Sequence, residues 1–304
     1  MKFLQISKRV FLFLMVNILV ITTITIVLNL FHVPQRIGRD NYTGLLVFCS
    51  IWGMGGALIS LAISRMTAKW FMGVKVIDPN TQDSTQRELL EMVYGFAQTA
   101  RLPERPEVGI YDSPEVNAFA TGPSKSRSLV AVSSGLLRTM NRDQIEGVVA
   151  HEVAHIANGD MVTMTLIQGI INALVMFLAR ILAFAVSQAL RSRDSREEGG
   201  GYMMQFMLVM VFQTLLSLLG AIVVNWFSRW REFRADAGSA RYAGREKMIS
   251  ALRGLQRMYE HTIEDQHAPS LNTLKISGKS KGMMMLFASH PPLEERIARL
   301  EQLR

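Results

Sequence analysis

The stretch HEVAHIANGD, from His151 to Asp160, constrains how much of the remaining chain must fold around it. It contains the pattern H-E-x-x-H and continues an apolar helical stretch that begins after Asn141. Asn141 can cap this helix, Gln144 stands in the reciprocal position of a capping box, and Gly159 is placed to end it. The sequence therefore predicts one helix from about residue 142 to about residue 158.

The spacing within this pattern predicts a metal site. Residues four apart are neighbours on a helix surface, so His151 and His155 can bind the same ion. Glu152 borders that face, where its carboxylate can accept the proton of an attacking water molecule. Two imidazoles, a carboxylate and an open coordination position suit Zn²⁺. Peptide-bond hydrolysis is the reaction that this arrangement predicts.

A third metal ligand must lie elsewhere, because catalytic zinc usually has three protein ligands. The best candidate is Glu232 in WREFRADA at 230–237, where Asp236 follows four residues later on the same helix face. Glu232 would bind the metal while Asp236 accepts the second N–H of a ligand histidine. E-x-x-x-D alone is a weak signal, since solvated helices often contain it. The presence of H-E-x-x-H makes it informative.

The composition favours a membrane protein, because 49% of the 304 residues are hydrophobic and only 19% are charged. Segments 10–31 and 42–64 lack charge over about the length of a bilayer-spanning helix and predict a first hairpin. Segments 161–190 and 202–228 predict a second hairpin. Arg180 lies inside the third segment, which leaves open whether 161–190 crosses the bilayer completely.

These segments give the predicted organisation: an N-terminal hairpin (1–64), a first catalytic part (65–160), a second hydrophobic hairpin (161–228) and a second catalytic part (229–304). The second hairpin must leave and return on one side, because a single crossing would separate the ligands by about 30 Å of hydrocarbon. The predicted fold is an integral membrane α+β protein. It combines a zincin-like metalloprotease domain with four hydrophobic helices in two hairpins.

The first catalytic part predicts a small core. STQRELLEMVYGFAQTA at 84–100 is an amphipathic helix by its apolar spacing. Three short segments of β character follow, EVGIYD at 107–112, VNAFATG at 116–122 and SLVAVS at 128–133. Turn signals separate them, so they predict a small antiparallel sheet or hairpin.

Charge and cysteine content exclude several functions. The formal charge of +8 is dispersed and flanks apolar segments, which favours anionic lipid headgroups over nucleic acid as the partner. The basic residues that flank the first hairpin place its termini in the cytoplasm. The single cysteine, Cys49, excludes an intrachain disulfide, and its apolar neighbours predict a packing role.

The sequence closely resembles the HtpX heat-shock membrane protease family, which is related to the type I CAAX prenyl endopeptidases. The resemblance covers essentially the whole chain. It rests on the N-terminal hairpin and on VNAFATG at 116–122, HEVAHIANGD at 151–160, EFRAD at 232–236 and SHPP at 289–292.

The resemblance implies a bacterial inner-membrane endopeptidase with one Zn²⁺ per chain and an active site that faces the cytoplasm. It also implies polypeptide substrates, namely damaged or misfolded membrane proteins degraded under stress. By position, His151, His155 and Glu232 would be zinc ligands, Glu152 the catalytic base, and Asp236 the partner of a ligand histidine.

Two further stretches are candidates for contact with the substrate. Val116–Thr121 is a predicted edge strand, and the backbone at Asn117 and Ala118 could pair with an extended polypeptide. His290, which precedes two prolines, could donate a hydrogen bond to the oxyanion that forms during hydrolysis.

Two other functions remain open at this point. A CAAX-type endopeptidase would prefer prenylated peptides, although its relatives have more membrane spans than the four candidate segments here. A binding protein or chaperone-like adaptor would use zinc structurally and capture exposed transmembrane helices. It would then keep its function after Glu152→Gln.

Overall fold

The computed structural model describes residues 42–190, 198–264 and 290–303. The predicted span at 10–31 lies outside the described residues. In chain order, the described elements are α1 (Tyr42–Phe71), β1 (Lys75–Val76), α2 (Ser84–Thr99), β2 (Glu107–Tyr111), β3 (Ala118–Thr121), β4 (Leu129–Ser133), α3 (Ser134–Thr139), α4 (Arg142–Asn158), α5 (Asp160–Leu190), α6 (Glu198–Tyr242), α7 (Arg245–Glu264) and α8 (Leu293–Glu301).

Three of the described helices are long and apolar enough to cross a membrane. They cover Thr43–Phe71, Asp160–Leu190 and Met203–Tyr242, with mean hydropathies of 2.0, 2.2 and 2.4. The apolar segments predicted at 42–64, 161–190 and 202–228 therefore lie on helices. The last of these helices is longer than its apolar run, because α6 continues unbroken through the polar residues that contain Glu232.

The chain divides into two compact units, one made of the described parts of 1–55 and 169–220, the other of 56–168 and 221–303. In the first unit, Gly53 lets α1 approach α5 closely, since a Cβ atom there would lie 2.5 Å from Ala173 N. Cys49 is completely buried and packs with Met176. The predicted packing role of this cysteine is confirmed.

The second unit contains a four-stranded sheet in the order β1-β2-β4-β3. Strand β4 pairs antiparallel with β3 but parallel with β2, so the prediction of an antiparallel sheet is wrong for one pair. The chain passes from β2 to the far edge of the sheet, forms β3, and returns to place β4 between them. Strand composition does not specify which strand lies beside which, so a purely local pattern could not reveal this order.

The predicted start and end of α4 are confirmed. Asn141 Oδ1 accepts a hydrogen bond from Gln144 N at 3.0 Å, and Gln144 Oε1 accepts one from Asn141 N at 3.2 Å. This is the predicted capping box, and caps of this kind contribute about 1 kcal/mol. Gly159 ends the helix with φ 73°, a left-handed conformation that glycine adopts without steric cost.

The core lies between the sheet, α2 and α4. The predicted apolar stripe on α2, Leu89, Leu90, Val93, Phe96 and Ala97, lies on the core side: four of these residues are buried and Phe96 is partly buried. Leu89, Leu90 and Val93 join a cluster that also contains Val130 and Val132 of β4 and Val149, Val153 and Ile156 of α4. Helix α4 therefore has one face in the apolar core.

Helix α4 is also held closely against α7 and α6. A Cβ atom at Gly147 would lie 2.6 Å from Lys247 O, so only glycine permits this approach of α4 to α7. Ser239 Oγ on α6 donates a hydrogen bond to Gly147 O at 2.8 Å. These contacts fix the position of α4 relative to the helices that follow it in sequence.

We expect Gly147→Ala to lower the free energy of unfolding by about 1–3 kcal/mol, because the added methyl group must displace the α7 backbone. Gly95→Ala is the matched control: this glycine is exposed in the middle of α2, no atom would lie within 4 Å of an added Cβ, and alanine there should stabilise the protein by about 0.5–1 kcal/mol. Thermal unfolding in detergent, followed by circular dichroism, measures both. Equal unfolding midpoints for the two variants would contradict the close packing.

Candidate metal centre

Three potential metal ligands from two helices converge in the second unit. His151 and His155 on α4 bring their Nε2 atoms to 3.1 Å. The carboxylate oxygens of Glu232 on α6 lie 3.5 Å from His151 Nε2 and 3.4 Å from His155 Nε2. Tetrahedral donors at 2.0–2.1 Å from a zinc ion lie roughly 3.3 Å from one another. The three donors therefore have the spacing that a single ion requires.

These donors are almost fully shielded from water. The exposed fractions are 6% for His151, 9% for His155 and 2% for Glu232. A carboxylate buried to this degree is costly unless cations or hydrogen-bond donors surround it. The two imidazoles provide such partners when they are protonated, and a bound cation would replace them in that role.

The outer nitrogen of His155 has a carboxylate partner. His155 Nδ1 lies 2.7 Å from Asp160 Oδ2, the first residue of α5, which follows the Gly159 cap directly. A proton on Nδ1 in this contact leaves the Nε2 lone pair free for a metal. Burial alone would lower the pKa of His155, but the adjacent Asp160 and Glu232 carboxylates raise it above its ordinary value.

The outer nitrogen of His151 also faces a carboxylate. His151 Nδ1 lies 3.0 Å from Asp236 Oδ1, an ion-pair distance at which the N–H is not well aligned for a hydrogen bond. Burial alone would lower the pKa of His151, yet the Asp236 and Glu232 carboxylates outweigh it and raise the pKa to about 9. In the metal-free protein a proton therefore competes for this ring near neutral pH.

An arginine from the last described helix completes the buried network. Arg296 on α8 donates from Nε to Asp236 Oδ2 at 2.8 Å and from Nη2 to Asp236 Oδ1 at 2.6 Å. Its Nη1 atom lies 3.5 Å from Glu232 Oε2. Burial lowers the pKa of this guanidinium, but the Asp236 carboxylate raises it overall. Arg296 is thus a permanent cation beside the candidate ligands.

The other predicted residues lie around this centre. Glu152 is half-buried on α4, one residue after His151. His290 Nδ1 lies 3.1 Å from Glu232 Oε2, and its side chain is 63% exposed. The structure thus brings His290 to the rim of the centre, beside the carboxylate rather than inside the buried network.

The predicted substrate strand lies at the sheet edge, and its two candidate residues differ in orientation. Asn117 N donates to Ser133 Oγ at 3.1 Å, and Asn117 O accepts from Ser133 N at 2.9 Å, so its backbone is directed toward β4. Backbone groups alternate along an antiparallel pair. Those of Ala118 and Ala120 are therefore directed toward the open edge of β3.

Sequence reasoning missed Asp160 and Arg296 as parts of the centre. Asp160 carried a usable signal, because Gly159 reverses the chain immediately after the histidine helix and an acidic residue then begins the next helix. Arg296 carried no local signal, since it lies 60 residues from Asp236 in a helix with an ordinary amphipathic pattern.

Comparison with known proteins places this centre in context. The sequence model of peptidase family M48 matches residues 82–304. The protein named Protease HtpX homolog from Bacillus pumilus is 50% identical over 304 residues, covering 97% of this chain and 99% of the relative. Protease HtpX from Idiomarina loihiensis is 48% identical over 297 residues, covering 98% and 100%.

Solved structures with a similar fold include the crystal structure of S. mikatae Ste24p, which matches with a TM-score of 0.65 and 17% sequence identity. The match covers 98% of this chain and 66% of the Ste24p chain, so this chain spans about two thirds of that longer protein. At this level of identity the likeness concerns the fold.

We expect Arg296→Ala to destabilise the protein by about 3–5 kcal/mol, because the buried Asp236 carboxylate loses both hydrogen bonds from the guanidinium and keeps only the His151 ring beside it. Arg253→Ala is the matched control, since it removes an exposed arginine whose 2.8 Å pair with Glu301 also holds α8. Its effect should stay below about 1 kcal/mol. Unfolding midpoints in detergent give both values, and a harmless Arg296→Ala would show that Asp236 does not depend on this pair.

Proposed function

Because the chain belongs to peptidase family M48 and to the HtpX proteases, it is a metalloprotease, and we propose that zinc is its metal. We further propose that it is an endopeptidase that cleaves damaged or misfolded membrane proteins on the cytoplasmic side of the bacterial inner membrane. The candidate spans on α1, α5 and α6 support the membrane location.

The observation that carries this proposal is the spacing of two imidazoles and one carboxylate around a single point. His151, His155 and Glu232 offer one donor atom each, all within 4.8 Å of one another. Two nitrogen donors and one oxygen donor are a ligand set that catalytic zinc uses, with a position left for substrate or water. Asp160 and Asp236 would orient the two imidazoles through their outer nitrogens.

Glu152 is the proposed general base. When bound, zinc acts as a Lewis acid that polarises a peptide carbonyl and lowers the pKa of water. The Glu152 carboxylate takes one proton from the attacking water while the water oxygen forms a bond to the carbonyl carbon. It returns that proton to the amide nitrogen as the C–N bond breaks. Its half-buried position next to His151 suits both transfers.

Three other groups would hold the reacting peptide. The open edge of β3 offers the backbone N–H and C=O groups of Ala118 and Ala120 for pairing with an extended substrate. Asn117 would act through its side chain, because Ser133 occupies its backbone groups. His290 would donate to the developing oxyanion from its second nitrogen while Nδ1 remains beside Glu232.

We expect Glu152→Gln to retain zinc but to lose roughly 10²–10⁴-fold in kcat, because only the proton acceptor is removed. Glu232→Ala should lose both zinc and activity, because it deletes a donor. The measurement is zinc content by mass spectrometry together with cleavage of an unfolded reporter by detergent-purified protein.

Each outcome of this comparison discriminates between functions. Equal cleavage by wild type and Glu152→Gln would refute the endopeptidase. Rescue of stressed cells by Glu152→Gln would favour the adaptor, in which zinc is structural. Preferential cleavage of a prenylated peptide over the same unmodified peptide would favour the CAAX-type enzyme.

We expect the apparent zinc affinity to rise about tenfold per pH unit between about pH 6 and 8 for each proton that zinc displaces. The pKa of His151 in the metal-free protein, about 9, lies above this range, so its ring must lose a proton on binding. Competition with a chelator at several pH values measures the slope. Asp236→Asn should flatten it by removing the carboxylate that raises the His151 pKa, and a pH-independent affinity for wild type would contradict the assignment.

A further inference from the structure

The second unit exposes large apolar side chains that are unfavourable in water. Trp70 and Phe71 at the end of α1 are 75% and 84% exposed, and Met72 follows at 46%. On α6, Trp226 and Trp230 are 61% and 45% exposed. Water-soluble surfaces rarely expose so much apolar area in so few residues. These five residues are called the interfacial residues below.

The lipid headgroup layer is the environment that suits the interfacial residues. Tryptophan concentrates at membrane–water interfaces. Trp70 and Phe71 lie at the end of the candidate span Thr43–Phe71, and Trp226 and Trp230 lie where the apolar run 202–228 ends.

Residues 65–77 contain three basic residues, Arg65, Lys69 and Lys75. Glu107 offsets one of these charges, since it pairs with Arg65 and Lys69 at 3.4 and 2.9 Å, which leaves a net positive charge. Arg229 and Arg231 flank Trp230. Cations at this level attract anionic phospholipids. The positive charge and the aromatic side chains therefore both indicate contact with lipid headgroups.

Helix α6 contains both Trp230, one of the interfacial residues, and Glu232 of the candidate metal centre. Glu232 follows Trp230 by two residues, so their Cα atoms differ by only about 3 Å along the helix axis. The two side chains lie on nearly opposite sides of the helix, because each residue adds about 100°. Trp230 is 45% exposed, whereas Glu232 is 2% exposed within the centre.

The thickness of the headgroup layer then sets the depth of the centre. A bilayer of about 40–45 Å with a hydrocarbon core of about 30 Å leaves about 5–8 Å for each headgroup layer. An offset of about 3 Å along the helix axis from Trp230 is smaller than the thickness of that layer, so Glu232 lies within it.

We propose that the metal centre lies at the depth of the lipid headgroups, with the interfacial residues seated in that layer. Its substrates are then the juxtamembrane segments of membrane-anchored polypeptides, whose peptide bonds occupy the same layer. This inference rests on the proposed endopeptidase function. It adds how far from the bilayer a peptide bond can lie and still be cleaved. A peptide bond far out in water is outside that reach.

Depth can be measured without activity. The full-length Glu152→Gln protein, reconstituted in phospholipid vesicles, would retain one tryptophan at position 70 or 230, with the others changed to phenylalanine. Bromine near the headgroup end of the lipid chain should quench both more strongly than bromine near the chain terminus. The control is Ile59→Trp, at a residue 64% exposed on α1: it precedes Trp70 by 11 residues, about 16 Å along the axis and so near the middle of a hydrocarbon core of about 30 Å, and should be quenched best by deeper bromine.

If water or protein, rather than lipid, surrounds the interfacial residues, the quenching pattern differs. Quenching of Trp70 and Trp230 by aqueous iodide but not by brominated lipid would place them in water and overturn the proposal. Protection from both quenchers would mean that a protein surface or a second copy of the chain covers them, which would also overturn it.

Reach can be measured with a tethered substrate. One transmembrane segment would be followed by many copies of the same short sequence, so that sequence preference cannot select the cleavage position. Wild type in vesicles should cut within about three residues of the edge of the hydrocarbon core, because an extended chain advances about 3.3 Å per residue through a layer of about 5–8 Å. Mass spectrometry of the products locates the cuts.

The outcomes separate the two proposals. Cuts spread evenly along the repeat would overturn the depth inference and leave the endopeptidase intact, whereas no cuts at all would refute the endopeptidase itself. The double variant Trp70→Ser with Phe71→Ser should scatter the cuts while leaving hydrolysis of an unfolded reporter in detergent unchanged. Leu303→Ser, at a residue 40% exposed outside the interfacial set, is the matched control and should behave as wild type.

Discussion

A metal ion that binds three protein donors requires them to lie roughly 3.3 Å apart, and the rest of this structure depends on that requirement. Two donors are four residues apart on α4, but Glu232 comes 77 residues after His155, beyond the long apolar helices α5 and the first part of α6. The chain can satisfy the requirement only if it leaves the centre along one helix and returns along the next. The capping box of α4, the glycine contact with α7 and the continuous α6 all serve to fix these donors in position.

The buried charges around the centre are balanced in a way that suits exchange between protons and a divalent cation. The half-buried Arg231 lies 3.8 Å from Glu232 at the margin of the centre. Among the fully buried groups, three carboxylates, Asp160, Glu232 and Asp236, face one guanidinium, Arg296, and two imidazoles. With both imidazoles protonated, these charges cancel, and a divalent metal that displaces both protons leaves the total unchanged. The raised pKa values of His151 and His155 therefore express the same electrostatic preference for a cation that would favour zinc binding.

The sequence was most informative where the determining interactions are local. The cap at Asn141, the end at Gly159 and the apolar stripe of α2 depend on residues within a few positions of one another, so they could be predicted. Glu232 could be selected because Asp236 follows one helical turn later and because the histidine pair requires a third ligand. The parallel pairing of β2 with β4 and the contact between Arg296 and Asp236 could not be predicted, since both join residues that are distant in sequence and leave no periodic pattern.

Zinc K-edge X-ray absorption of the purified full-length chain is the sharpest test of the proposed centre, because it reports the identity and distance of the atoms bound to the metal. We predict light donors only, with two imidazoles and oxygen donors at about 2.0–2.2 Å in the wild type, and too little zinc bound to purified Glu232→Ala to give the same spectrum. A spectrum with three imidazoles would instead make His290 a ligand and leave Glu232 as its neighbour. That result, or a spectrum unchanged in Glu232→Ala, would contradict the assembly of the centre from α4 and α6.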